Sequence, residues 1–204
     1  MITIINYGLG NVQAFANLYK RMNVPAKIAT TTSDLADASR LILPGVGAFD
    51  HAIELLNASG MRDTVDDLVI RQKVPVLGVC VGMQILAGSS DEGKLPGLGW
   101  IEGRVRRFDE SRLPRPARLP HMGWNDVVPK NGVRLFAGLE QDARFYFLHS
   151  YYFDCASNDN VLATSEYGPA FSCAVGSGNI HGVQFHPEKS HSYGMRLLKN
   201  FAEL

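Results

Sequence analysis

The run Pro75-Val76-Leu77-Gly78-Val79-Cys80-Val81-Gly82-Met83-Gln84 constrains this chain more than any other stretch. Pro75 to Val79 are apolar and partly β-branched, the composition of a strand buried on both faces. Gly78 and Gly82 stand two residues to either side of Cys80. That spacing predicts a tight strand-to-helix turn with cysteine at its tip, because a backbone folding back on itself needs small flanking residues. The N–H groups that open the following helix then face the sulfur and favour a thiolate. The N–H of Val81 falls where it helps to hold a developing oxyanion. A buried cysteine closing an ordinary strand has the same local sequence. A base and an orienting carboxylate elsewhere in the chain decide between the two.

The 204 residues suffice for one α/β domain and are short for two, so the expectation is a single domain over 1–204. With 46% hydrophobic and 20% charged residues, the composition is that of an ordinary globular protein. A formal net charge of zero argues against nucleic acid or an anionic membrane as the main partner. Three cysteines, Cys80, Cys155 and Cys173, form no disulfide framework, which fits a reducing, cytoplasmic setting. Met1 to Ile5 is too short and lacks the basic flank of a signal peptide, and no later run is long enough to span a membrane.

The first half alternates strand and helix. Strands are expected at 2–5, 25–30, 40–43 and 75–79, with helices at 12–22, 48–57 and 61–71. Ser33-Asp34 reads as a helix cap, and Asp63, Asp66 and Asp67 as a solvated face. This alternation predicts a doubly wound, mixed but mostly parallel sheet flanked by helices. Gly8-Leu9-Gly10 lacks the third glycine and the acidic residue of a nucleotide loop, so it reads as turn chemistry. Pro44-Gly45-Val46-Gly47 follows a buried strand, and its glycines let a peptide N–H near Val46 and Gly47 turn into a cleft.

The second half is richer in strands. Residues 100–108 alternate, and a basic stretch from Arg104 to Arg118, including Arg112 and Arg115, reads first as a solvated edge and second as a docking surface for an acidic partner. His121-Met122-Gly123-Trp124-Asn125 reads as a turn into a strand at 126–128, with Trp124 in the core. Further strands are expected at 144–149, 161–166, 171–175 and 179–185. A helix near 193–201 closes the chain.

The base and the carboxylate stand at the end of the last strand, in His186-Pro187-Glu188. Pro187 fixes its own φ and holds His186 extended. In extended geometry residues two apart share a face, so Glu188 reaches the imidazole and sets its tautomer. Reactive groups gather at the carboxyl ends of parallel strands, where Cys80 and His186 both fall. No metal is expected: His181 and His186 point to opposite faces, and neither they nor His191 have a ligand partner at the right spacing. A Cys80–His186–Glu188 triad accounts for more residues.

Together, Gly78-Val79-Cys80-Val81-Gly82-Met83-Gln84 and His186-Pro187-Glu188 resemble the triad (class I) glutamine amidotransferases. Within them, four stretches are similar to the glutaminase subunits of imidazole glycerol phosphate synthase. These are Pro44 to Gly47, Pro120 to Asn125, His149-Ser150-Tyr151 and Gly182 to Ser190. The resemblance covers essentially the whole chain. It implies a flavodoxin-like fold, hydrolysis of L-glutamine through a Cys80 thioester, and no cofactor. It implies an oxyanion hole from Val46, Gly47 and Val81, and glutamine held by Gln84, His149, Ser150 and Tyr151. It further implies a heterodimer with a (β/α)8-barrel cyclase, met through Asn11, Trp124 and Lys189, that receives ammonia for histidine biosynthesis. Asn6 and Val81 depart from the common aspartate and leucine. With the tail from Glu188 to Gly194, they are also reminiscent of paralogues that supply ammonia for acetamidino sugars of surface polysaccharides. A non-catalytic binding module would lack the intact triad. A peptide hydrolase would leave Gln84 and the His121–Asn125 segment without a role.

Overall fold

The computed structural model describes residues 1–114 and 116–204; Arg115, in the basic stretch, lies outside them. The elements run β1 (Ile2–Ile5), α1 (Val12–Arg21), β2 (Ala26–Ala29), β3 (Arg40–Gly45), α2 (Phe49–Ala58) and α3 (Arg62–Asp66). Then come β4 (Val76–Cys80), α4 (Val81–Gln84), β5 (Ser89–Ser90), β6 (Gly103–Arg107), β7 (His121–Asp126), β8 (Val128–Pro129) and β9 (Arg144–His149). The chain closes with β10 (Tyr151–Cys155), β11 (Val161–Glu166), β12 (Ala170–Ser177), β13 (Ile180–Val183) and α5 (His191–Glu203).

Among the described residues, the main sheet is mixed, in the order β2-β1-β3-β4-β13-β12-β10-β6-β5. Its first five strands pair in parallel. That run is the flavodoxin-like order, in which ligands gather beyond the carboxyl ends of the strands. The strands β1 and β4 are buried along their whole length, as Ile-, Leu- and Val-rich central strands must be. From β13 onward the sheet continues antiparallel through β12, β10 and β6. One apolar core extends from Ile2 through the parallel strands to Phe201 of α5. Asn11 caps α1 by accepting the Ala14 N–H at 3.2 Å, and Phe15 and Tyr19 turn its buried face to the sheet. No helix among the described residues is long and apolar enough to cross a membrane.

Several local expectations change. Residues 61–71 divide into α3 and a π-helical turn at Asp67–Arg71. Asp66 is not simply solvated: it accepts from Arg62 Nε at 2.7 Å and from Trp100 Nε1 at 2.8 Å. The cap expected at Ser33-Asp34 centres on Thr31, whose N–H donates to Asp34 Oδ2 at 2.9 Å. The largest difference is at 121–126. These residues form β7, paired antiparallel with β9 in a separate two-stranded sheet. Trp124 is 39% exposed rather than in the core. Its strand buries the alternate side chain, His121, and turns Met122 and Trp124 outward. Arg104 pairs with Asp91, Arg106 with Asp154 at 2.5 Å and Arg107 with Glu110 at 2.8 Å. Carboxylates of this chain thus neutralise that part of the basic stretch, as at a solvated edge.

Candidate active site

Cys80 ends β4 and precedes the single turn of α4 with φ 56° and ψ −114°. A side chain at positive φ is strained, and here three glycines hold it there. A Cβ on Gly82 would lie 1.9 Å from the Leu43 carbonyl oxygen, and one on Gly45 would lie 2.4 Å from the Gly82 nitrogen. A Cβ on Gly78 would meet the Gly82 oxygen at 2.5 Å. Thus the ends of β3 and β4 and the start of α4 touch backbone to backbone. The glycines expected to flank Cys80 are required by close approach rather than by their own dihedral angles.

His186 lies three residues beyond β13 and is buried. Its N–H donates to the Tyr146 carbonyl at 2.8 Å. Ser190 Oγ donates to the His186 carbonyl at 2.6 Å and accepts the Tyr146 N–H at 3.0 Å, so the loop is sewn to β9. Glu188 Oε1 sits 2.8 Å from His186 Nδ1. A carboxylate only accepts, so Nδ1 carries the proton and Nε2 is left for the hydrogen bond to Cys80. Glu188 reaches the ring from a 3₁₀ turn at Pro187–Lys189, not from a continued extended strand. Proline at the first position of such a turn satisfies the same φ restriction. Burial pulls the His186 pKa down, but hydrogen bonds to Cys80 and Glu188 and their negative charges outweigh it and raise it to about 9.

A cavity of about 270 Å³ brings most of the expected site residues together. Val46, Gly47, Cys80 and Val81 line it together with Gln84, His149, Ser150 and Tyr151. His186 and Lys189 also line it. Val46 is 48% exposed and Gly47 has φ +95°, so the chain leaves the sheet just above the cysteine. A second cavity, of about 390 Å³, shares Val46, His186 and Lys189 and is bordered by Asn11 and Glu188. Trp124 lies outside both. It stacks on His191 with ring centroids 5.5 Å apart, and packs edge-on to Tyr146, over which Lys189 Nζ sits at 5.8 Å. Asn11 and Lys189 thus share the second cavity, and Trp124 is joined to Lys189 only through the Tyr146 ring.

Sequence reasoning missed four participants. Gln184 is fully buried and takes the Gln84 Nε2 hydrogen bond at 3.1 Å, while its own Nε2 lies 3.9 Å from Cys80 Sγ. Tyr7 donates its hydroxyl to the Pro44 carbonyl at 2.7 Å, anchoring the strand end before Val46. Glu92 lines the cavity and accepts the Phe49 N–H at 2.8 Å, tying the start of α2 to it. The Leu148 carbonyl lies 4.0 Å from Cys80 Sγ. Only Tyr7 and Gln184 carried a sequence signal, each a polar side chain at the end of an apolar strand.

Beside this flavodoxin-like sheet with its strained cysteine elbow and His–Glu pair stands a sequence match: the model of the glutamine amidotransferase class-I family matches residues 3–204. The chain belongs to the class-I glutamine amidotransferases. Among relatives, imidazole glycerol phosphate synthase subunit HisH of Bdellovibrio bacteriovorus is 61% identical over 204 residues, covering all of both chains. The subunit of the same name from Leptospira interrogans is 50% identical over the full length of both. Within its class, the chain is thereby a member of the HisH family. In fold, it matches a crystal structure of a glutamine amidotransferase with a TM-score of 0.76 at 22% identity, over 100% of this chain and 99% of that one.

Proposed function

We propose that this chain is the glutaminase subunit of a cytoplasmic imidazole glycerol phosphate synthase, working as a heterodimer with a (β/α)8-barrel cyclase. Support comes chiefly from one observation: Cys80, His186 and the Val46–Gly47 turn share a single cavity with Gln84 and Tyr151.

The reaction follows from that arrangement. The Cys80 thiolate attacks the side-chain amide carbon of glutamine and a C–S bond forms. The N–H of Val81 and a peptide N–H of the Val46–Gly47 turn receive the oxyanion. The His186 imidazolium gives its Nε2 proton to the departing nitrogen, the C–N bond breaks, and ammonia leaves a γ-glutamyl thioester. Water then loses a proton to His186 and attacks the thioester; the C–S bond breaks and glutamate is released. Glu188 holds the ring and balances its charge throughout. Gln84, His149, Ser150 and Tyr151 position the substrate.

The partner reading rests on the outward face of β7, where Met122 is 62% and Trp124 39% exposed, Trp124 packing on the Tyr146 ring that also carries Lys189. Exposed large apolar groups of this kind mark interaction surfaces. Ammonia passes from the cavity at Cys80 toward the one bordered by Asn11 and Lys189, and on into the barrel. The test is reconstitution with a histidine-pathway cyclase. Glutamine-dependent formation of imidazole glycerol phosphate and AICAR is expected. Hydrolysis without that product would assign the ammonia to another acceptor, such as an acetamido sugar. Absence of hydrolysis would overturn the glutaminase reading itself.

A further inference from the structure

Two buried histidines, His121 and His149, face each other across the β7–β9 pair, with His121 Nδ1 2.9 Å from His149 Nε2. His149 lines the cavity at Cys80; His121 does not. Both rings are clamped by aromatic neighbours. His121 stacks on Tyr167 and Phe147 at centroid distances of 4.1 and 4.8 Å. His149 meets Phe171 and Phe108 at 5.2 and 5.4 Å.

The hydrogen bonds fix every proton in this row. His149 Nδ1 lies 2.7 Å from the Tyr151 carbonyl, which only accepts, so that nitrogen carries the proton. In a neutral ring His149 Nε2 is then an acceptor, and His121 Nδ1 must donate to it. His121 Nε2 is therefore also an acceptor, and Asn125 Nδ2 faces it at 3.1 Å. The orientation of the Asn125 amide is set independently. Its Nδ2 donates to the Glu166 carbonyl at 2.7 Å and its Oδ1 accepts the Asp126 N–H at 2.9 Å. The two ends of the row thus demand the same direction of donation. Burial holds the pKa of His121 down to about 4 and that of His149 to about 3, which keeps both rings neutral. At the far end, the Tyr151 carbonyl also accepts from Gln84 Nε2 at 3.3 Å.

We infer that His121 and Asn125 are positioning residues for glutamine binding: they fix the tautomer of His149, and through it the Tyr151 backbone and Gln84. The inference rests on the glutaminase reading and deepens it. Without a donor from His121, His149 Nε2 is a buried acceptor with no partner. The ring then turns or changes tautomer, and the Tyr151 carbonyl loses its strongest donor. Neither His121 nor Asn125 borders Cys80, so the effect falls on substrate binding rather than on chemistry.

The experiment uses the full chain in complex with its cyclase, and measures glutamine hydrolysis. No hydrolysis by the unaltered complex would sink the glutaminase reading, and the inference with it; the variants are compared against an active complex. His121→Phe keeps the ring volume and removes the donor. It is expected to raise KM for glutamine about tenfold or more with kcat within about threefold. His121→Asn restores a donor near the Nδ1 position and is expected to recover most of the loss. Alkylation of Cys80 by iodoacetamide, which needs no glutamine site, is expected at an unchanged rate. A fall in kcat at constant KM, or equal behaviour of the Phe and Asn variants, would overturn the inference. Should His121→Phe fail to fold, nitrogen-15 NMR of the unaltered protein still decides. It is expected to show His149 protonated at Nδ1 and His121 also at Nδ1; a proton on Nε2 of either would contradict the inference.

Discussion

His186 Nδ1 and Glu188 Oε1 lie 2.8 Å apart although Glu188 has already entered a 3₁₀ turn. The contact is nearly sealed, with the two side chains only 6% and 4% exposed. Burial opposes charge on the ring, but the hydrogen bond to Cys80 and then that to the sealed carboxylate, with their negative charges, together outweigh it and favour the imidazolium. Removing the charge in Glu188→Gln is therefore expected to lower the His186 titration midpoint from about 9 by at least about one pH unit. Glutaminase kcat should fall roughly a hundredfold with it. NMR titration of the imidazole measures the first and steady-state kinetics the second. An unshifted midpoint would mean that Glu188 does not govern the ring.

The elbow stores strain at a known place. Cys80 has φ 56°, a conformation glycine adopts without cost. Cys80→Gly is expected to be more stable than Cys80→Ala by about 1 kcal/mol or more, measured by urea denaturation. Equal stabilities would show that the turn is relaxed.

Buried histidines of opposite behaviour give a two-sided pH dependence of stability. His121 and His149 titrate near 4 and 3 in the fold against about 6.5 when unfolded. As pH falls below about 6.5, the unfolded chain takes up protons that the fold refuses, so stability declines towards pH 4. His186 is raised to about 9. Its contribution is complete below about 6.5 and is lost as pH rises toward 9. Urea midpoints should therefore peak near neutrality. A midpoint that keeps rising as pH drops from 6.5 to 5 would contradict the neutral, buried state of His121 and His149.

Trp124 packs against His191 and Tyr146 and stays 39% exposed. Trp124→Ala and Lys189→Ala are expected to shift the melting temperature by no more than about 4 °C while lowering the ratio of synthase to glutaminase turnover severalfold. An unchanged ratio would remove both residues from the partner interface.

What the sequence made legible was what short-range sterics dictate. Gly78-x-Cys80-x-Gly82 announces the elbow because no other residues fit where β3, β4 and α4 touch. His186-Pro187-Glu188 announces the contact, but not its conformation, since proline's φ suits an extended chain and the first turn of a helix alike. Trp124 departs from its expected place for a different reason. Its strand buries histidine and exposes Met122 and tryptophan, an inversion that only the packing of β7 on β9 and the aromatic layer around His121 determines. Gln184, Glu92 and Tyr7 act through hydrogen bonds to residues at least 37 positions away. No local pattern encodes such partners.

The nucleophile is the centre of the proposed chemistry, and Cys80→Ala in the reconstituted complex tests it most directly. The variant should release no ammonia from glutamine above background, while synthesis from added ammonia continues at the rate of the unaltered complex. Glutamine hydrolysis retained by Cys80→Ala would contradict the assignment of Cys80 as nucleophile.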